Sequence, residues 1–363
     1  MGDEVLRVGV VGGGLIAQAA HLPNIAANPR TRLVALADPS ATVCSGLAGT
    51  YHIPATYPTW EAMLEQESLD AIVICSPHAT HAAIVLAAVE LGVHCLVEKP
   101  LCIDPADAVL IHQRAQEARV VVQVGYMKRY DPGFDAFIAG LPASPDDLLL
   151  VDVTTYDPWM SRRPFVEWDR FVLGNDVDPG LLERFRAQEA AQVGAAVGRD
   201  DPQTVRAYSY TFLACLVHDV NLVNGVLDRW TLTATPQGSR AWGDGKAATI
   251  SVELSNGAWG RCTWLLLPEQ EEFSEHARLY FGDGIHELHF PVPYHAPAPT
   301  QHSIRGRGST GQIVTTSGSF LSDSYRTELD AFLDCIVAGA ANRTPPDQGG
   351  RDIALLRDLF VLG

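Results

Sequence analysis

The sequence predicts an α/β protein in two parts: a doubly wound parallel sheet, then an α+β domain on a large, mostly antiparallel open sheet. Three observations carry that expectation. Up to residue 125, short unbroken runs of Val, Ile, Leu and Ala alternate with helix-length segments, as parallel strands covered by helices on both faces do. After Gly125, strand-like runs follow one another directly, and several alternate polar with apolar residues, as antiparallel strands with one solvated face do. The first apolar run also ends in a glycine-rich turn that opens a helix-like segment.

In order, strands are expected over 5–11, 33–37, 71–75, 94–98 and 120–124, with helices over 15–28, 40–51, 60–66, 79–91 and 104–118. Further strands fall at 148–156, 230–235, 249–254, 259–267, 277–281 and 286–290, with Ser255-Asn256-Gly257 and Asp283-Gly284 as hairpin turns. A partly helical stretch over 161–227 separates the first two of these. Its part from 163 to 203 is charged and poor in apolar positions, and reads as an insertion or lid. Residues 291–319 are rich in Pro, Gly, Ser and Thr without periodicity, and read as a long loop. Helices over 325–337 and around 351–361 close the chain. The expected domains are 1–125 for the parallel sheet and 126–345 for the α+β part, whose helical insertion spans about 163–203, with a C-terminal helix in 346–363.

The glycine turn is the most specific local pattern. Val8-Gly9-Val10-Val11 runs into Gly12-x-Gly14-x-x-Ala17, the fingerprint of a dinucleotide-binding βαβ unit. Gly12 makes the tight turn, Gly14 lets backbone approach a pyrophosphate, and Ala17 lets helix and strand pack closely. The N–H groups of Leu15 and Ile16 then lead the helix that receives the pyrophosphate. A second apolar run ends at Asp38, about 20 residues beyond the turn, where a carboxylate holds a ribose 2′-OH in such folds. Pro39, Ser40, Ala41 and Thr42 follow it, so no nearby Arg or Lys could receive a 2′-phosphate. The expected cofactor is NAD rather than NADP.

Composition bounds the remaining classes. At 363 residues, 47% hydrophobic and 19% charged, the chain suits a globular protein with two cores. A formal net charge of −17 argues against nucleic acid or an anionic membrane as partner, since both recruit clustered Lys and Arg. The apolar runs are strand-length, short of a membrane span. Met1-Gly2-Asp3-Glu4 leads straight into the first strand, so no secretory signal is expected. The seven cysteines stand singly, without metal spacing, and read as reduced thiols of a cytoplasmic protein that carries no metal.

Glu98-Lys99-Pro100, directly after the strand 94–98, resembles the Glu-Lys-Pro motif of the glucose–fructose oxidoreductase / inositol dehydrogenase (Gfo/Idh/MocA) family. Further pieces match in order. Ser76-Pro77-His78-x-x-His81 resembles the family's Thr/Ser-Pro-Asn-x-x-His turn. Val124 to Pro132, with Tyr126, Lys128 and Arg129, resembles the segment that leaves the nucleotide domain in inositol dehydrogenase-like members. His218-Asp219-Val220-Asn221 resembles their His-(Asp/Glu)-x-Asp helix, and Tyr325-x-x-Glu328-Leu329-x-x-Phe332 their C-terminal helix.

The resemblance implies an NAD-dependent oxidoreductase acting on a secondary hydroxyl or ketone of a cyclic polyol, sugar or sugar-like metabolite. Lys99 would stabilise a developing alkoxide and His218 would act as the base. Gly12, Gly14, Leu15, Ile16, Asp38, Ser76, Pro77, His78, His81, Glu98, Lys99 and Tyr126 are the cofactor residues it implies. Lys99, Lys128, Tyr156, Asp157 and His218 are the substrate residues. The family's Lys–Pro bond is often cis, which aims the lysine into the cleft.

Plainer roles stand beside these. Glu98 reads equally as a structural carboxylate, and Tyr126, Lys128 and Arg129 as an inter-domain salt-bridge cluster. Tyr156 and Asp157 could cap a strand, and His78 and His81 could hold their turn rather than do chemistry. One departure changes the expected chemistry: Ala214 stands where inositol dehydrogenase-like members carry an Asp that orients the histidine, and Asn221 where a later Asp stands. Asp219 is about 100° around a helix from His218 and should not face the same spot. A supporting group such as Tyr156 or Asp157, or a reaction in which bound NAD oxidises a sugar transiently for elimination, epimerisation or glycoside cleavage, would follow. A non-catalytic NAD-binding regulatory protein is a third reading. A homodimer or homotetramer is expected, because a large sheet with alternating faces needs cover.

Overall fold

The computed structural model describes residues 5–158, 168–270, 272–293, 298–308 and 310–363. The first four residues, the opening of the expected insertion (163–167) and parts of the expected long loop (294–297 and 309) lie outside the described residues. In chain order β1 (Leu6–Val11), α1 (Leu22–Ala27), β2 (Thr31–Ala37), α2 (Ala41–Tyr51), β3 (Ala55–Tyr57) and α3 (Trp60–Gln66) come first. They are followed by β4 (Ala71–Ile74), α4 (His78–Glu90), β5 (His94–Glu98), α5 (Pro105–Ala118) and β6 (Val122–Gly125). Next are α6 (Pro132–Gly140), β7 (Leu148–Pro158), α7 (Pro179–Val197), α8 (Pro202–Val205) and α9 (Val217–Leu227). Then come β8 (Ala234–Trp242), β9 (Ala247–Leu254), β10 (Trp259–Leu267), β11 (Ser274–Phe281) and β12 (Gly284–Phe290). The strands β13 (Ala298–Arg307) and β14 (Ile313–Ser322) precede α10 (Ser324–Ala338) and α11 (Pro346–Leu362).

Two compact units result. Met1–Tyr126, Glu167–Asp200 and Tyr325–Ile353 form the first; Met127–Val166, Asp201–Ser324 and Ala354–Gly363 form the second. α10 and the inserted segment thus belong to the first unit. The reason is burial: Leu329, Phe332 and Leu333 of α10 join Leu6, Val8, Leu33 and Leu36 in one core, with Val172 of the inserted segment packed against it.

The first unit is a six-stranded parallel sheet in the order β3-β2-β1-β4-β5-β6. The order in which strands are added reverses between β1 and β4, and the crevice at the carboxyl ends of these strands is where ligands bind in open α/β sheets. Central strands are apolar on both faces: Val10, Ile72, Val73 and Val97 are fully buried. Strand β3 escapes sequence reading because its three residues, at the sheet edge, carry no periodic signal. The helix after the glycine turn contains a π segment, Ala17–His21, that ends two residues before Pro23, whose missing N–H breaks the regular ladder.

The second unit holds an eight-stranded sheet in the order β14-β13-β12-β11-β7-β10-β9-β8, antiparallel except for the parallel pair β7–β10. The expected long loop over 291–319 is corrected here. β13 and β14 pair in register from Ala298↔Ser322 to Arg307↔Ile313 and close the sheet edge. Most of β14 is exposed, so its Thr and Ser residues show no apolar alternation to read. The helical run Pro202–Trp230 is long and apolar enough, by length and composition alone, to cross a membrane; 78% of its apolar window is buried inside the unit. It is a core element here, beginning in a π-helical stretch, Arg206–Leu216, that runs into α9.

Candidate functional site

β1 ends in a turn that only glycine fits. Gly12 N donates to Ala37 O at 2.8 Å, φ is +89°, and a Cβ would lie 2.8 Å from the Cys75 carbonyl and Ser76 N. A Cβ on Gly14, by contrast, would meet nothing within 4 Å among the described residues. Gln18 N donates to Gly14 O at 3.1 Å, so the Leu15 and Ile16 amides lead a helix that faces this open space. Asp38, at the end of β2, accepts from Gly13 N and from Ser40 N, each at 2.8 Å. Open space over a helix start, with a carboxylate fixed at the end of the neighbouring strand, fits a dinucleotide whose pyrophosphate meets Gly14 and whose ribose meets Asp38.

The turn after β5 is built as firmly. The Lys99–Pro100 bond is cis. Glu98 is buried, with Oε1 2.8 Å from His21 Nε2, and Oε2 accepts the Lys99 amide at 3.3 Å. Burial pushes the Glu98 carboxyl up, but the His21 hydrogen bond and charge, then Lys99, bring it below the usual carboxylate range. His81 ties two loops together: Nδ1 lies 2.8 Å from Pro100 O and Nε2 lies 2.8 Å from Ser76 O. Thr80 Oγ1 pairs with Ser76 Oγ and donates to Pro77 O, both at 2.7 Å. Burial pushes the His78 and His81 imidazoles down, and the Lys99 charge pushes them the same way. Ser76, Pro77, His78, His81, Glu98 and Lys99 are therefore gathered at neighbouring carboxyl ends of β4 and β5.

Sequence reasoning missed Gln18, His21 and Asp176. Gln18 Nε2 donates to Gly13 O at 2.7 Å and to Val172 O at 3.0 Å, while its Oε1 accepts Val172 N at 2.8 Å. Gln188 and Gln192 of α7 both donate to Ala79 O at 2.9 Å. The inserted segment is thus part of the nucleotide-fold unit. No local pattern links residues separated by 77 to 154 positions, so these pairs carry no sequence signal.

A family model described as an oxidoreductase family with an NAD-binding Rossmann fold, GFO_IDH_MocA, matches residues 6–126. Over that part, a third of its length, the chain is similar to the Gfo/Idh/MocA oxidoreductases. The chain is similar to a UDP-N-acetylglucosamine 3-dehydrogenase of Acidithiobacillus ferrooxidans, 33% identical over 127 residues, which are 35% of this chain and 39% of that protein. It is also similar to inositol 2-dehydrogenase 4 of Saccharopolyspora erythraea, 34% identical over 140 residues, 37% of this chain and 40% of that protein. The matched part spans about two fifths of the length of these curated relatives. Over the whole chain the fold is that of scyllo-inositol dehydrogenase from Lactobacillus casei, solved with NAD(H) and scyllo-inositol. The TM-score is 0.69 at 15% identity, covering 97% of this chain and 95% of that one.

The helix that resembles the Gfo/Idh/MocA histidine helix lies in the second unit, whereas Lys99 lies in the first. His218 is half-buried on α9. Asp219 beside it is buried, accepts Thr155 Oγ1 at 3.0 Å, and leaves Oδ2 without a partner among the described residues. Burial, then the Glu275 charge, push its carboxyl well above the usual range despite Lys128. Lys128 is committed to Glu275, which is fully buried, and lies 5.6 Å from the Phe290 ring centroid. Asp157 accepts Trp264 Nε1 at 2.5 Å, while Tyr156 on the same strand is exposed. Arg129 donates to Asn221 O at 3.4 Å and lies 3.8 Å from Asp228. Tyr126, the last residue of the first unit's N-terminal segment, is buried.

Proposed function

We propose that the chain is an NAD-dependent oxidoreductase that moves a hydride between nicotinamide and a secondary hydroxyl or ketone of a cyclic polyol, sugar or sugar-like metabolite. The observation that carries the reading is the Lys99 turn, clamped by His81 and by the His21–Glu98 pair in the family-matched part of the chain. Bound nicotinamide would supply the hydride acceptor. Lys99 would hold negative charge on the substrate oxygen, and the His218 imidazole would take and return its proton.

Mixing protein, NAD and a panel of inositols and sugars should produce the absorbance of the reduced cofactor. Lys99→Ala and His218→Ala should each lower kcat by about 10²-fold or more. Activity that survives both substitutions overturns these roles.

NAD is the proposed cofactor because Asp38 would repel a 2′-phosphate. Calorimetry should show NAD binding at least about tenfold tighter than NADP. A second reading draws on Ala214 and on the inserted segment seated on Gln18: NAD stays bound and oxidises the substrate transiently. Turnover without accumulation of reduced nicotinamide would select it. A homo-oligomer is the proposed assembly, which light scattering would show as a mass above that of one chain.

A further inference from the structure

We propose that Asp176, delivered by the inserted segment, is a second determinant of cofactor choice that excludes a 2′-phosphate from the start of α2. The inference rests on the reading that the first unit binds NAD. The segment ahead of α7 lies along the nucleotide-fold edge, pinned where Gln18 grips both backbone groups of Val172. Four residues on, Asp176 Oδ1 accepts the Ser40 hydroxyl and Oδ2 accepts Thr42 N at 3.0 Å. Ser40 is itself the cap of α2, with Oγ accepting Val43 N at 3.1 Å, and its amide is taken by Asp38 Oδ1. Gly174 permits this approach, since a Cβ there would stand 2.7 Å from Ser40 Cβ and 3.0 Å from Val43 Cγ2.

A 2′-phosphate on a ribose held by Asp38 would need donors from just this stretch, the Ser40 hydroxyl and the first amides of α2. The Ser40 hydroxyl and the Thr42 amide among them are already satisfied by a carboxylate. The Ser40 hydrogen bond, then the Thr42 amide, hold that carboxyl below its ordinary range, so it is charged at neutral pH. Removing Asp38 alone therefore leaves one negative charge in the place of the phosphate. The carboxylate is exposed, and solvent screening keeps its effect moderate.

The test is calorimetric titration of the full chain with NAD and with NADP, for the wild type, Asp38→Ser, Asp176→Asn, Asp176→Ala and Asp38→Ser/Asp176→Ala. The ratio of the NADP Kd to the NAD Kd should fall at least about tenfold further in the double variant than in Asp38→Ser. Asp176→Asn, which can keep the loop seated while losing the charge, should lower the ratio in the same direction. NADP-dependent shifts in melting temperature give a second readout of the same order. A double variant no better for NADP than Asp38→Ser, or an unchanged ratio in both single Asp176 variants, overturns the proposal. Wild-type protein that binds neither nucleotide overturns the underlying reading instead.

Discussion

His21 Nε2 lies 2.8 Å from Glu98 Oε1 in a buried pair one residue before Lys99, with the Tyr325 ring edge-on to His21 at 5.8 Å. Burial works against the Glu98 charge, yet His21 and Lys99 leave its carboxyl below the usual range. A carboxyl depressed in the folded state stabilises the fold above its unfolded value of about 4.3, and that stability is lost as pH falls through the folded value. Glu98→Gln should therefore flatten the acid limb of the stability curve below about pH 4.5. Melting temperatures measured from pH 7 down to about pH 3 check this, and a limb as steep as the wild type's contradicts it.

Two glycines of one turn should behave differently. Gly12→Ala meets backbone at 2.8 Å with φ at +89°, and should cost about 1–3 kcal/mol in stability. Gly14→Ala meets nothing within 4 Å among the described residues, so its stability should change by less than about 0.5 kcal/mol. The added methyl instead stands where a pyrophosphate would approach, and NAD affinity should fall about tenfold or more. Denaturant melts and calorimetry on the two variants separate these effects.

Lys128 and Glu275 form a buried ion pair, with side chains 11% and 0% exposed. Lys128→Ala leaves a carboxylate buried beside Asp219 and should cost about 3–5 kcal/mol. Adding Glu275→Gln should recover a large part of that loss, because the uncompensated charge goes with it. A double-mutant cycle by urea unfolding measures the coupling; additive losses would mean the two charges act independently.

The Asp219 carboxyl is pushed well up by burial and by the Glu275 charge. An acid raised in the folded state contributes stability that is present below its unfolded value, about 3.9, and falls as pH rises through the folded one. Asp219→Asn should accept the Thr155 hydrogen bond through its amide oxygen while removing this pH dependence. The variant should gain stability over the wild type at pH 8 and lose that advantage toward about pH 4. Parallel melting curves at both pH values would show that Asp219 does not titrate in this way.

The order of elements up to Gly125 was legible because a parallel sheet covered by helices leaves unbroken apolar runs, and strands β5 and β10 coincide with the ranges read from sequence. The glycine turn and Asp38 were legible because Gly12, Gly14 and Asp38 answer local backbone needs at fixed spacing. β13 and β14 were not: β14 is a mostly exposed edge strand, and in β13 beside it the fully buried residue is a threonine, Thr300, so neither strand shows apolar alternation.

Residue order alone thus established the dinucleotide turn, the Lys99 motif and the two kinds of sheet, all features that neighbouring residues impose on one another. Three-dimensional packing settled the rest. It put α10 and the inserted segment on the nucleotide-fold core, joined His21 to Glu98, and brought Asp176 to Ser40 across 136 positions. Those pairings depend on which apolar faces bury together, and burial is non-directional, so no short stretch of sequence encodes the partner.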